Sequence, residues 1–174
     1  KNNGQSEGDF MIKLNGEQSL MKFLSCTFEY DKPNSGSKVG YFIGGGITFD
    51  GCTFTNSPRD MIRLNPVWLT RPGFVFTNNI VQGNTKQFIM VTQRTQGNPQ
   101  PIIKNNIFQD INMESGYLIS FIHTLSEIEL INNTFQRITT RAGSYCGGMS
   151  SWYQNSFNNQ MTLKYTDCKF YDIT

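Results

Sequence analysis

The sequence predicts an all-β fold: a single-stranded right-handed parallel β-helix, a solenoid of about six coils with three short strands per coil. Three observations carry this. The stretch KNNIFQDI at 104–111 returns as INNTFQRI at 131–138, 27 positions later. Apolar residues around each doublet alternate with period two, as in strands with one buried face. The chain holds 18 Asn and 16 Gly beside one Ala, Ala142, so the best helix former is nearly missing.

With the Phe of the motif as anchor, equivalent positions are Phe28, Phe54, Val81, Phe108, Phe135 and Phe170, at intervals of 26, 27, 27, 27 and 35. Five positions earlier stand Phe23, Phe49, Phe76, Ile103, Leu130 and Tyr165, and seven earlier Met21, Ile47, Phe74, Pro101, Ile128 and Leu163. Both columns are apolar. Between them Lys22, Thr48, Val75, Ile102, Glu129 and Lys164 are mixed, which marks an outward face.

Three before the anchor come Ser25, Gly51, Asn78, Asn105, Asn132 and Asp167, types that tolerate a left-handed backbone, so this column is a bend. Two before the anchor come Cys26, Cys52, Asn79, Asn106, Asn133 and Cys168. A column restricted to Cys and Asn implies an enclosed, small, semi-polar slot: an internal ladder whose amides bond to neighbours in adjacent coils, because an unpaired buried polar group costs about 1–3 kcal/mol.

A third strand lies upstream in FMIKLN (10–15), GYFIGG (40–45), DMIRLN (60–65), QFIMVT (87–92) and YLISFI (117–122). Its inward columns are expected at Ile12, Ile43, Ile62, Ile89 and Ile119, then Leu14, Gly45, Leu64, Val91 and Phe121. In the last unit SYCGGM (144–149) fills that slot, with an insertion accounting for the longer interval. Coils stacked at about 4.8 Å would make one domain over 1–174, and from the start at Lys1 a processed form or an excerpt of a longer chain is expected.

At these residues, from Phe10 to Ile173, the chain resembles the pectin-lyase-like right-handed β-helix superfamily, whose repeats read apolar-x-apolar-x-Asn-Asn-x-apolar. GGGITFDGCTFTN (44–56), echoed by CGGM (146–149), is similar to the repeats of polymorphic outer-membrane and autotransporter-type surface proteins. The superfamily resemblance implies the fold, and it implies for enzymes an acidic outer face: a Ca²⁺ site with an Arg or Lys base in lyases, a carboxylate pair in hydrolases. The outward columns here differ. One past the anchor lie Glu29, Thr55, Gln82, Gln109, Gln136 and Tyr171, and two past lie Tyr30, Asn56, Gly83, Asp110, Arg137 and Asp172.

Asp110 and Arg137, equivalent in adjacent coils, read as a surface ion pair contributing about 0–1 kcal/mol rather than a catalytic acid and base. Gln82, Gln109 and Gln136 form an outward column, a hydrogen-bond ladder or a glycan-contacting strip. Trp68, and Trp152 and Tyr153 in the insertion SSWYQNSFNNQ (150–160), are aromatics that stack on sugars, anchor an interface, or cap the groove between strands. His123 is the single histidine, so a histidine-rich metal site is excluded; no metal, cofactor or catalytic residue is assigned.

Cys26 and Cys52 share a column at a spacing a disulfide can span, and Cys146 and Cys168 share the last coil; stacked free thiols behaving as small apolar residues are the preferred reading, because the column alternates freely with Asn. Asn132-Asn133-Thr134 is a glycosylation acceptor pattern, the only one with a permissible middle residue. The net charge of +2 is too small and scattered for nucleic acid, and no apolar run reaches the roughly 20 residues of a membrane span.

Function is expected to be structural or adhesive in an extracellular or cell-surface setting. The partners would be glycans, surface proteins, or other copies associating end to end or laterally. The alternatives are a polysaccharide lyase or glycoside hydrolase, and a non-catalytic glycan-binding module.

Overall fold

A computed structural model describes residues 10–15, 19–29, 38–43, 46–56, 62–65, 73–83, 88–92, 101–113, 116–122, 128–140, 144–145 and 163–174. These residues form strands and corners, and every strand pairing among them is parallel. Sheet A stacks Phe10–Asn15, Lys38–Ile43, Ile62–Asn65, Ile89–Thr92 and Ile119–Ile122. Sheet B stacks Leu20–Leu24, Gly46–Asp50, Phe74–Thr77, Ile102–Lys104, Ile128–Ile131 and Leu163–Thr166. Sheet C stacks Thr27–Glu29, Thr53–Thr55, Ile80–Gln82, Ile107–Met113, Thr134–Thr140 and Lys169–Ile173. Each strand pairs with its equivalents one repeat away, so sequence period becomes axial stacking. That is a parallel β-helix of six coils.

The apolar columns lie in register. Phe23, Phe49, Phe76, Ile103, Leu130 and Tyr165 face one another along sheet B, and Phe28, Phe54, Val81, Phe108, Phe135 and Phe170 along sheet C. Alternation puts these side chains inside, and in the middle coils Phe49, Phe54, Phe76, Phe108 and Phe135 are fully buried. Identical rings then stack at the coil spacing: Phe28 on Phe54 at 4.8 Å, Phe108 on Phe135 at 5.0 Å, Phe135 on Phe170 at 4.9 Å. Offset stacking adds about 0.5–1.5 kcal/mol per pair beyond burial. Val81 interrupts the anchor column, and the ring of buried Phe88 stands 5.2 Å from Phe54 and 5.9 Å from Phe76.

The bend between sheets B and C is the expected column: Ser25, Gly51, Asn78, Asn105, Asn132 and Asp167 all have φ between 50° and 65°. Backbone bonding continues across it, as in Gly51 N–H to Thr77 O at 3.1 Å and Asn105 N–H to Ile131 O at 3.0 Å. No gap opens in the stack at the corner.

Three details depart from the sequence expectations. First, in coil two the residues opposite Ile12 and Leu14 are Gly40 and Phe42, while Ile43 faces Asn15 and Asn65, so Ile43 does not share the Ile12 and Ile62 column. A strand rich in Gly has weakly specified register, and an odd slip of three swaps its faces. Gly45 lies outside the described residues.

Second, the column two past the anchor is another left-handed corner: Asn56, Gly83, Asp110, Arg137 and Asp172 have φ between 50° and 67°. The strands from Ile107 and Thr134 turn there and continue inward with Ile111 opposite Ile138, and Ile138 opposite Ile173.

Third, Phe88 and Leu118 are buried together with their neighbours Ile89 and Ile119, so strict alternation fails at the entry to sheet A. The N–H groups of Phe88 and Ile89 both donate to Leu118 O, at 2.9 and 3.1 Å, and this doubled bonding marks a local bulge. Of the SYCGGM segment, Ser144–Tyr145 is a described strand; it pairs with Gly116–Tyr117 in a separate two-stranded ladder.

Candidate functional site

Polar side chains of the described residues fall into axial rails. The inner rail occupies the Cys/Asn column. Asn106 Oδ1 accepts from Asn79 N–H at 2.9 Å and from Asn79 Nδ2 at 3.1 Å, and Asn106 Nδ2 donates to Phe76 O at 2.8 Å and to Asn133 Oδ1 at 2.9 Å. Asn79 and Asn133 repeat the pattern, donating to Phe49 O and Ile103 O. All three amides are buried. Where Cys replaces Asn the thiol takes over part of the role: Cys52 Sγ donates to Phe23 O at 3.4 Å and Cys168 Sγ to Leu130 O at 3.3 Å. Cys26, Cys52 and Cys168 are free thiols, and burial pushes the Cys52 thiol up from its ordinary pKa. Cys146 lies outside the described residues.

A second rail runs on the surface along the first bend. Asn132 Nδ2 donates to Asn105 Oδ1 at 2.9 Å, Asn105 Nδ2 to Asn78 Oδ1 at 3.2 Å, and Asn78 Nδ2 to Asp50 Oδ1 at 2.7 Å, where Thr77 Oγ1 also donates at 2.8 Å. The first Asn of each doublet therefore sets the bend and also bonds along the axis, which its identity as a turn residue alone did not reveal. The signal was present in the unbroken run Asn78, Asn105, Asn132 at one column position.

Gln82, Gln109 and Gln136 form a third rail on sheet C. Gln136 Nε2 donates to Gln109 Oε1 at 2.8 Å, Gln109 Nε2 to Gln82 Oε1 at 3.1 Å, and Gln82 Nε2 to Thr55 Oγ1 at 3.3 Å. Both surface rails donate toward the N-terminal coils, whereas the Nδ2-to-Oδ1 bonds of the inner rail donate toward the C-terminal coils. Between the two corners the outward positions of sheet C in coils two to five are Thr53, Thr55, Ile80, Gln82, Ile107, Gln109, Thr134 and Gln136, an uncharged strip four coils tall.

Charge sits at the margins of that strip. Arg137 Nε and Nη2 contact Asp110 Oδ1 and Oδ2 at 2.6 and 2.8 Å, a bidentate pair with both side chains about half exposed. Lys164 Nζ lies 3.0 Å from Glu129 Oε1, which also accepts from Thr166 Oγ1. The Asn78 and Thr77 donors hold Asp50 below the ordinary carboxylate pKa, Arg137 does so for Asp110, and Thr166 with Lys164 for Glu129. Each of these carboxylates is thus ionised at neutral pH and engaged as an acceptor, the wrong state for a general acid.

Trp68, His123, Trp152 and Tyr153 lie outside the described residues. Among the described residues no group of three or more His, Cys, Asp or Glu is placed to hold a metal ion. No helix among them is long and apolar enough to cross a membrane.

No curated protein and no solved structure matches the chain. The profile of the family described as "Right handed beta helix region" matches residues 2–162. Strands Leu163–Thr166 and Lys169–Ile173 carry the same register one coil past that match. With matched columns, three stacked sheets and a profile spanning most of its length, the chain belongs to the right-handed beta-helix family.

Proposed function

We propose that this chain is a rigid, non-catalytic β-helical segment of an extracellular or cell-surface protein, presenting its lateral faces and loops to glycans, other proteins or neighbouring copies. One observation carries the proposal: the outward amides of coils four and five donate to their equivalents one coil earlier. These bonds run along the axis, stiffening a rod, instead of converging on a reacting atom as catalysis requires. The similarity of GGGITFDGCTFTN to autotransporter-type surface repeats supports the cell-surface setting.

The test is incubation with polyuronides and neutral polysaccharides, with and without Ca²⁺, followed by assays for unsaturated products and new reducing ends. No turnover is expected. Turnover would replace this reading with a carbohydrate-active enzyme. A glycan array run beside it separates a sugar-binding rod from a pure scaffold.

A further inference from the structure

Three asparagines, Asn78, Asn105 and Asn132, share the first-bend column, and all have φ near 55°. Two positions later, on the outward side of sheet C, stand Ile80, Ile107 and Thr134, in register across three coils. Thr27 and Thr53 occupy that position in coils one and two, but there the bend residues are Ser25 and Gly51. Coil five is where a bend asparagine and a hydroxyl at the second following position coincide. Asn132 is exposed and Thr134 half-exposed.

Asn132 Nδ2 already donates to Asn105 Oδ1 at 2.9 Å, so a substituent on that nitrogen must coexist with the bond. Amide geometry allows it. A planar primary amide has one N–H anti to its carbonyl oxygen, antiparallel to C=O, and one directed away from Cβ. Head-to-tail stacking along the column uses the anti hydrogen. The other points out of the corner into solvent, and a secondary amide formed there keeps the trans arrangement with the anti N–H intact. On the other side of Asn132 the column continues with Asp167, whose carboxylate, when ionised, accepts and does not donate. Asn132 therefore terminates the rail among the described residues.

We propose that Asn132 is an N-glycosylation site whose glycan projects from the corner while the amide keeps its bond to Asn105. In the step, Asn132 Nδ2 loses one proton and bonds to the anomeric carbon of a lipid-pyrophosphate-linked oligosaccharide. The anomeric C–O bond breaks and the lipid pyrophosphate leaves with the electron pair. The proposal rests on the extracellular reading only for access to the glycosylating machinery, a dependence that experimental secretion removes.

The experiment expresses the chain behind a cleavable secretory leader in a eukaryotic host, with bacterially produced chain as the unmodified reference and circular dichroism to confirm β structure. Intact mass with and without peptide N-glycosidase should show one glycan, lost in N132Q and T134A and kept in T134S. The glycosylated chain should melt at the same temperature as the reference. A folded, secreted chain of unmodified mass would overturn the site, and a lowered melting temperature would overturn the retained Asn105 bond. Polysaccharide turnover would sink the scaffold reading without altering the glycan count.

Discussion

Arg137 grips Asp110 with two N–H groups of one guanidinium edge from one coil above, and both residues hold left-handed backbone, at φ 51° and 54°. Two opposing effects meet at Arg137. The exposed ion pair is screened by solvent and contributes little, while a left-handed non-glycine residue costs roughly 1–2 kcal/mol. Arg137→Gly should therefore leave the urea midpoint unchanged or raise it slightly. Arg137→Val, which adds β-branching at the same φ, should lower it clearly. Equal midpoints for the two variants would show that the second corner is not held left-handed.

Asn106 and Asn105 are adjacent in sequence and opposite in consequence. Asn106→Ala orphans the buried Asn79 N–H, at about 1–3 kcal/mol, and also removes the amide's bonds to Phe76 O and Asn133 Oδ1. Asn105→Gly keeps the bend conformation and loses only exposed rail bonds, so less than about 1 kcal/mol is expected. Thermal melts of the two variants decide the matter, and matching shifts would contradict the inner rail.

The inner rail ends on sulfur, with Asn133 N–H reaching Cys168 Sγ at 3.4 Å. Cys168→Asn replaces a weak acceptor with an amide oxygen of the kind used one coil below. Stability should rise by about 0.5–1.5 kcal/mol, read from chemical denaturation.

Acid sensitivity follows from the carboxylates. Asp50, Asp110 and Glu129 are all depressed in the folded state, so each stabilises the fold above the unfolded carboxylate pKa of about 4 and stops doing so as pH falls through its folded value. Asp50→Asn still offers Oδ1 to Asn78 Nδ2. That variant should melt slightly below the wild type near neutrality, where the charge-assisted bonds are lost, yet lose less of its melting temperature at about pH 3; an unchanged acid slope would count against Asp50 as a contributor.

Gly83 combines φ 67° with a hydrogen where any Cβ would run into Asn56 Oδ1. Gly83→Ala should cost at least about 1–2 kcal/mol from backbone conformation alone, and adding Asn56→Gly should recover the steric part. A double-mutant cycle measures that coupling.

Much of the fold was legible because one residue type repeated at one position has few structural meanings. Phe at the anchor and Asn or Cys two before it gave the inside of sheet C, and Ser, Gly, Asn or Asp before those gave the first corner. The second corner was harder to read because Arg137 stands among Asn56, Gly83, Asp110 and Asp172, and arginine carries no turn preference. The sheet A register of coil two failed because GYFIGG has a glycine at each end and little in its letters to distinguish one face from the other. The Gln column was visible as a column, but its direction of donation depends on amide orientation, which a residue letter does not encode.

Because the buried amide rail and the two exposed ones point in opposite senses, their dipoles oppose one another along the axis. An α-helix, whose aligned peptides accumulate charge at its tips, behaves differently. Lengthening this rod by another 27-residue turn of the same kind would add side-chain dipoles in both senses, so the net axial dipole would grow by less than the sum of its rails.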